Sequence, residues 1–152
     1  MSDFPVSAEL LELDDDLRRV LAELSARLGP RQVAYAREFR PPLDVIETGA
    51  AVEVVVDVAG VSPEGLRVVF RGNLLLVAGA KAPEGTSSEP SFFLVEREFG
   101  RFARAVRLTG AFDVSRARAT LASGELTVVL PKRTDRRGHA QAIPVSPESP
   151  PA

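Results

Sequence analysis

The feature that most constrains this chain is a change of hydrophobic period near residue 41. From there to residue 132 apolar and polar residues alternate, the pattern of strands with one face buried. Val52, Val54, Val56 and Val58 point one way, and Glu53 and Asp57 point the other. Leu66, Val68 and Phe70 alternate with Arg67 and Arg71, and Phe102, Val106 and Leu108 share a face with Arg104. Leu74–Ala78 is a continuous apolar run, as expected of a strand covered on both faces, and Phe92–Val95 is another. Ser123-Gly124 separates Ala119 and Leu121 from Leu126, Val128 and Leu130, which reads as a tight hairpin. Further turn signals fall at Thr48-Gly49, between Gly60 and Gly65, at Gly72-Asn73, Gly85 and Gly110. About eight short strands at this spacing predict an all-β fold, an antiparallel immunoglobulin-like sandwich.

The flanks read differently, which divides the chain into an arm over 1–40, the sandwich over 41–132 and a tail over 133–152. In the arm, Leu10, Leu13, Leu17, Val20, Leu21, Leu24 and Leu28 recur at helical spacing and form one stripe. Ser7 is the expected cap, and Gly29-Pro30 the expected stop. Asp14, Asp15 and Asp16 fall off the stripe, toward solvent. The stripe has two readings: a helix packed on its own domain, or an apolar surface offered to other chains. The period is ambiguous over Gln32–Phe39. In the tail, Pro144, Pro147, Pro150 and Pro151 predict an extended, mobile segment. Its one apolar island, Ala142-Ile143-Pro144-Val145, is either incidental or a short linear anchor. Pro144 keeps the backbone extended, so Ile143 and Val145 project to the same side.

Composition removes most chemistry. With Cys 0 and His139 the single histidine, thiolate and histidine metal sites and disulfide scaffolds are not expected, and no metal or cofactor is assigned. Neither a phosphate-binding G-x-x-x-x-G-K-[ST] loop nor a G-x-S-x-G elbow occurs. Glu96 and Glu98 share a strand face, which reads as solvated surface rather than an acid–base pair. A net charge of -2 gives no general attraction to nucleic acid, and Arg133, Arg136 and Arg137 lack the interleaved aromatics of a nucleic-acid patch. No run approaches the roughly 18 apolar residues of a membrane span. The opening Met1-Ser2-Asp3-Phe4-Pro5 is acidic with no apolar run behind it, so a cytoplasmic protein is expected, bound to neither nucleic acid nor membrane and not an enzyme.

Several stretches in order resemble the α-crystallin domain of the small heat-shock proteins, in the bacterial type. Pro41-Pro42-Leu43-Asp44-Val45-Ile46-Glu47 is similar to that domain's first strand, and Asp57 to Val68 to its strand–loop–strand pattern. Gly100-Arg101-Phe102-Ala103-Arg104 matches G-x-F-x-R, Ala119 to Leu126 matches A-x-x-x-n-G-x-L, and Val129-Leu130-Pro131-Lys132 closes the domain. Ile143-Pro144-Val145 resembles the family's I-x-I/V motif. Ala59, Thr109 and Ser123 depart from it at turns. The resemblance implies an ATP-independent holdase of the stress response, which binds partly unfolded clients and prevents their aggregation. The alternative is a non-catalytic co-chaperone module that docks one folded partner.

The candidate client surface is Phe4, Leu10, Leu13, Leu17, Leu21, Leu24, Leu28, Tyr35 and Phe39. The resemblance further implies a homodimer by strand exchange, in which Phe92, Phe93, Leu94 and Val95 cross to the strand carrying Leu43, Val45 and Ile46 of a second copy. Arg104 is placed at that seam, paired with a carboxylate. Ile143, Pro144 and Val145 are expected to anchor in a groove between Val68 and Phe70 on one side and Ala119 and Leu121 on the other, building weak higher oligomers.

Overall fold

Strand Ala51–Asp57 shows the alternation turned into packing: Val52, Val54 and Val56 are buried and the residues between them are not. The computed structural model describes residues 7–27, 39–82, 93–133 and 145. Within them run β1 (Leu43–Glu47), β2 (Ala51–Asp57), β3 (Leu66–Arg71), β4 (Leu74–Lys81), β5 (Gly100–Arg107), β6 (Arg118–Ala122) and β7 (Glu125–Pro131). They form a four-stranded sheet, β1-β2-β7-β6, and a three-stranded sheet, β3-β4-β5, with every pairing antiparallel. The two sheets close on one core. Val52, Val54 and Val56 lie opposite Leu130, Val128 and Leu126 across β2 and β7, and Leu75, Val77 and Phe102 meet them from the other sheet.

Local chemistry sets the tight turns. Gly72-Asn73 joins β3 to β4 with φ of 57° and 63°, and Ser123-Gly124 joins β6 to β7 with φ of 53° and 76°. Two left-handed residues in a row twist the hairpin with the strands, and Gly and Asn occupy that region most readily. The expectation of about eight strands is met by seven among the described residues. The difference is the Phe92–Val95 run. Phe93, Leu94 and Val95 are exposed and join no ladder among the described residues, and a segment without a ladder is not a strand. Phe92 lies outside the described residues.

The arm forms α1 (Ala8–Glu12) and α2 (Asp14–Arg27). Ser7 caps α1 as expected, its hydroxyl accepting from the Leu10 amide at 3.1 Å. The single helix suggested by the stripe is broken at Leu13, with φ −104° and ψ 20°. The stripe itself survives the break, because docking rather than helical continuity aligns it. Leu10, Leu13, Leu17, Val20, Leu21 and Leu24 pack on Leu74, Leu76, Ala78 and Ala103, the face of β4 and β5 turned away from the main core. β4 is therefore apolar from Leu74 to Ala80, because a sheet covers one side and the arm the other.

Asp16 corrects the sequence reading. It is one of three consecutive aspartates assigned to solvent, yet it is only 5% exposed. Its burial follows from the packing of α2 on β4 and β3, which brings the carboxylate against Arg71.

Candidate functional site

Three surfaces hold the predicted residues. The first is the open edge of β1, which among the described residues pairs only with β2. Val45 and Ile46 are 45% and 44% exposed there, while Leu43 is partly buried against the core. An apolar edge strand with unpaired backbone groups is a template for another chain. Phe93, Leu94 and Val95 supply a second exposed apolar stretch.

Arg104 lies beside this edge. The expected carboxylate partner is not found among the described residues. Instead its Nη1 donates to the Pro41 carbonyl at 2.7 Å. Burial, with Arg40 nearby adding repulsion, holds its pKa below the usual arginine value. The reason is positional: on the inward face with Phe102 and Val106, the guanidinium reaches the backbone entering β1 and a groove of about 390 Å³ lined also by Phe39, Arg40 and Leu43.

The second surface lies between the sheets. β3 and β6 are both edge strands, and Val68, Phe70 and Leu121 pack against the margin of the main core. The Phe70 ring meets Phe112 edge-on at 5.9 Å. Ala119 is exposed. Of the expected anchor, Val145 is exposed, and Ile143 and Pro144 lie outside the described residues.

The third surface is the arm. Leu10, Leu13, Leu17, Leu21 and Leu24, expected as client surface, are buried against the sheet. Of the two readings of the stripe, the structure therefore holds the helix packed on its own domain. Phe39 is also engaged: its amide donates to the Arg101 carbonyl at 3.2 Å, and its ring centroid lies 5.2 Å from that of Phe102. Phe4, Leu28 and Tyr35 lie outside the described residues.

Sequence reasoning missed the ion pairs around the arm. Arg71 Nε and Nη2 donate to Asp16 Oδ2 and Oδ1 at 2.8 and 3.2 Å, and Arg19 also reaches Oδ1 at 2.7 Å. Arg67 meets Glu23 at 3.0 Å, and Arg107 meets Glu12. The Arg71 hydrogen bond outweighs burial and holds the Asp16 carboxyl below the usual carboxylate range. A faint signal exists in the sequence: Arg67 and Arg71 flank Val69 on one strand face, and Asp16 and Glu23 lie nearly two turns apart on one helix edge. Among the described residues there is no group of three side chains able to hold a metal ion.

A two-sheet antiparallel sandwich with open edges on both sheets and an arm across one face defines the class. The model of the Hsp20/alpha crystallin family matches residues 44–146, and the chain belongs to that family. It is similar to the 18.9 kDa heat shock protein of Oryza sativa subsp. japonica, 32% identical over 143 residues, 93% of this chain and 80% of that protein. It is 35% identical to Spore protein SP21 of Stigmatella aurantiaca over 97 residues, 64% of this chain but only 57% of the length of that relative. Among solved structures, Heat shock protein 16.0 from Schizosaccharomyces pombe superposes with a TM-score of 0.60 at 30% identity, over 71% of this chain and 99% of that one.

Proposed function

We infer that this protein is an ATP-independent holdase that binds partly unfolded proteins and keeps them from aggregating. The observation that carries this reading is apolar surface left open on a rigid sandwich: Val45 and Ile46 on a free strand edge, and Phe93 and Leu94 on an unpaired segment. Unfolded chains expose apolar segments and unpaired backbone, and surfaces of this kind hold them without sequence preference. The family is that of small heat-shock proteins, which supports the same reading.

The working unit we propose is a homodimer formed by strand exchange, with Phe92–Val95 of one copy pairing along β1 of the other. Each element lacks what the other supplies, since β1 has a free ladder edge and the 93–95 segment has none of its own. The deciding experiment is light scattering from several unrelated heated clients, with and without this protein and with no nucleotide. Suppression across the set is expected. Protection confined to one client would instead mark a module that docks one folded partner.

A further inference from the structure

The arm shows what the face beneath it is built to hold. That face is apolar at its centre and ringed by Arg67, Arg71 and Arg107, and the arm brings a carboxylate to each: Glu23, Asp16 and Glu12. Asp16 is the buried charge among the described residues, and both its oxygens are taken by Arg71. This is the broad face of β3-β4-β5, and at its centre the backbone groups of β4 are already taken by β3 and β5. A ligand here must satisfy its own backbone, which a helix does and an extended peptide does not.

We propose that this face is a docking surface for amphipathic helical segments of clients that carry an acidic edge, with α1–α2 as its built-in competitor. The proposal rests on the holdase reading above and names the chemistry of the client. Charge sets the preference: three arginines at the rim attract an acidic edge and repel a basic one. The arm is replaceable for physical reasons. The Arg67–Glu23 and Arg107–Glu12 pairs are partly exposed, and such pairs hold weakly. Ala78 and Ala103 make half of the covered floor, so it is shallow. Helices of five and 14 residues have little stability of their own, so the arm depends on the sheet for its order. The main core does not include the arm, so release leaves the sandwich standing.

The test uses the full chain with two changes. Asp16→Lys sets a new cation against Arg71 and Arg19 and frees the face; the charge exchange Asp16→Arg with Arg71→Asp closes it again. The probe is a fluorescent peptide of residues 7–27, and its control carries Glu12→Gln, Asp16→Asn and Glu23→Gln. The freed chain is expected to bind the probe at least about tenfold more tightly than wild type, because a self-occupied face weakens outside ligands by its open fraction. The exchanged chain should return to the wild-type value, and the control should bind the freed chain about tenfold less tightly than the probe. Saturating probe should also reduce the freed chain's suppression of client aggregation. Equal probe binding by wild type and Asp16→Lys, or indifference to the acidic edge, would overturn the proposal. So would concentration-dependent growth of Asp16→Lys particles on sizing, which would make a second copy's arm the occupant. If Asp16→Lys does not stay soluble, Asp16→Asn makes the same comparison. Wild-type chain that suppresses no aggregation refutes the holdase reading instead, whatever the probe does.

Discussion

Gly79→Ala should damage the sandwich severely for so small a change, and Phe102→Leu should partly repair it. The two residues lie directly opposite across β4 and β5. A Cβ on residue 79 would sit 2.3 Å from Phe102 Cζ, 2.5 Å from Cε1 and 3.0 Å from the Gly65 carbonyl oxygen. The ring has no room to yield, being fully buried and packed against the tilted ring of Phe39. Overpacking of a tight core costs about 3 kcal/mol. Alanine recovers roughly 0.5–1 kcal/mol of chain entropy that glycine loses on folding, so the expected net loss is about 2 kcal/mol.

Phe102→Leu alone removes the far ring atoms and opens a void, at about 1–2 kcal/mol. In the double variant the new methyl enters that void, so the losses should sum to less than the parts by about 1 kcal/mol. The contact with the Gly65 carbonyl remains and limits the repair. Urea unfolding followed by far-UV circular dichroism measures this, because with Trp 0 and Tyr 1 the chain offers little intrinsic fluorescence. All four proteins must be compared at one concentration, since association would shift the midpoint. Gly79→Ala within about 0.5 kcal/mol of wild type, or strictly additive losses, would refute the packing argument.

Deleting residues 83–95 should convert the proposed dimer to monomers on sizing; a dimer persisting at low concentration would refute strand exchange. Replacing Ile143 and Val145 by Gly should shrink any larger particle to dimers with the sandwich intact, because two aliphatic anchors give only about 3–6 kcal/mol of gross burial; particles of unchanged size would remove the tail as the assembly anchor. Arg104→Ala leaves the Pro41 carbonyl without its donor and should lower stability by about 1–2 kcal/mol in a urea titration; an unchanged midpoint would show the bond carries no weight. The Arg71 hydrogen bond, helped by Arg19, puts the folded pKa of Asp16 below its unfolded value near 4. Its contribution is thus complete above that value and is lost as pH falls through the folded pKa, so the melting difference between wild type and Asp16→Asn should be flat above about pH 5 and shrink below about pH 4. A difference that changes near neutrality instead would contradict that sign.

Much of the fold is legible in the sequence because its signals are local. Alternation needs only neighbours two residues apart, the Ser123-Gly124 and Gly72-Asn73 hairpins need two residues able to adopt positive φ, and Ser7 caps its helix by accepting from an amide three residues on. The unbroken run Leu74–Ala78 even announces a strand covered on both sides. It does not say what covers it. A leucine stripe fits any apolar face, and only the tertiary structure lays it on Leu74, Leu76, Ala78 and Ala103 instead of leaving it open. Three adjacent aspartates look alike in the sequence, yet successive helix positions turn by about 100°, and only the docking of α2 on the sheet decides that Asp16 is the one buried against Arg71. The space Gly79 leaves for Phe102 likewise appears only once β4 and β5 are in register. Period, turns and caps are written in neighbouring residues; which faces meet depends on matching surfaces brought together from distant parts of the chain, and that matching exists only in the folded molecule.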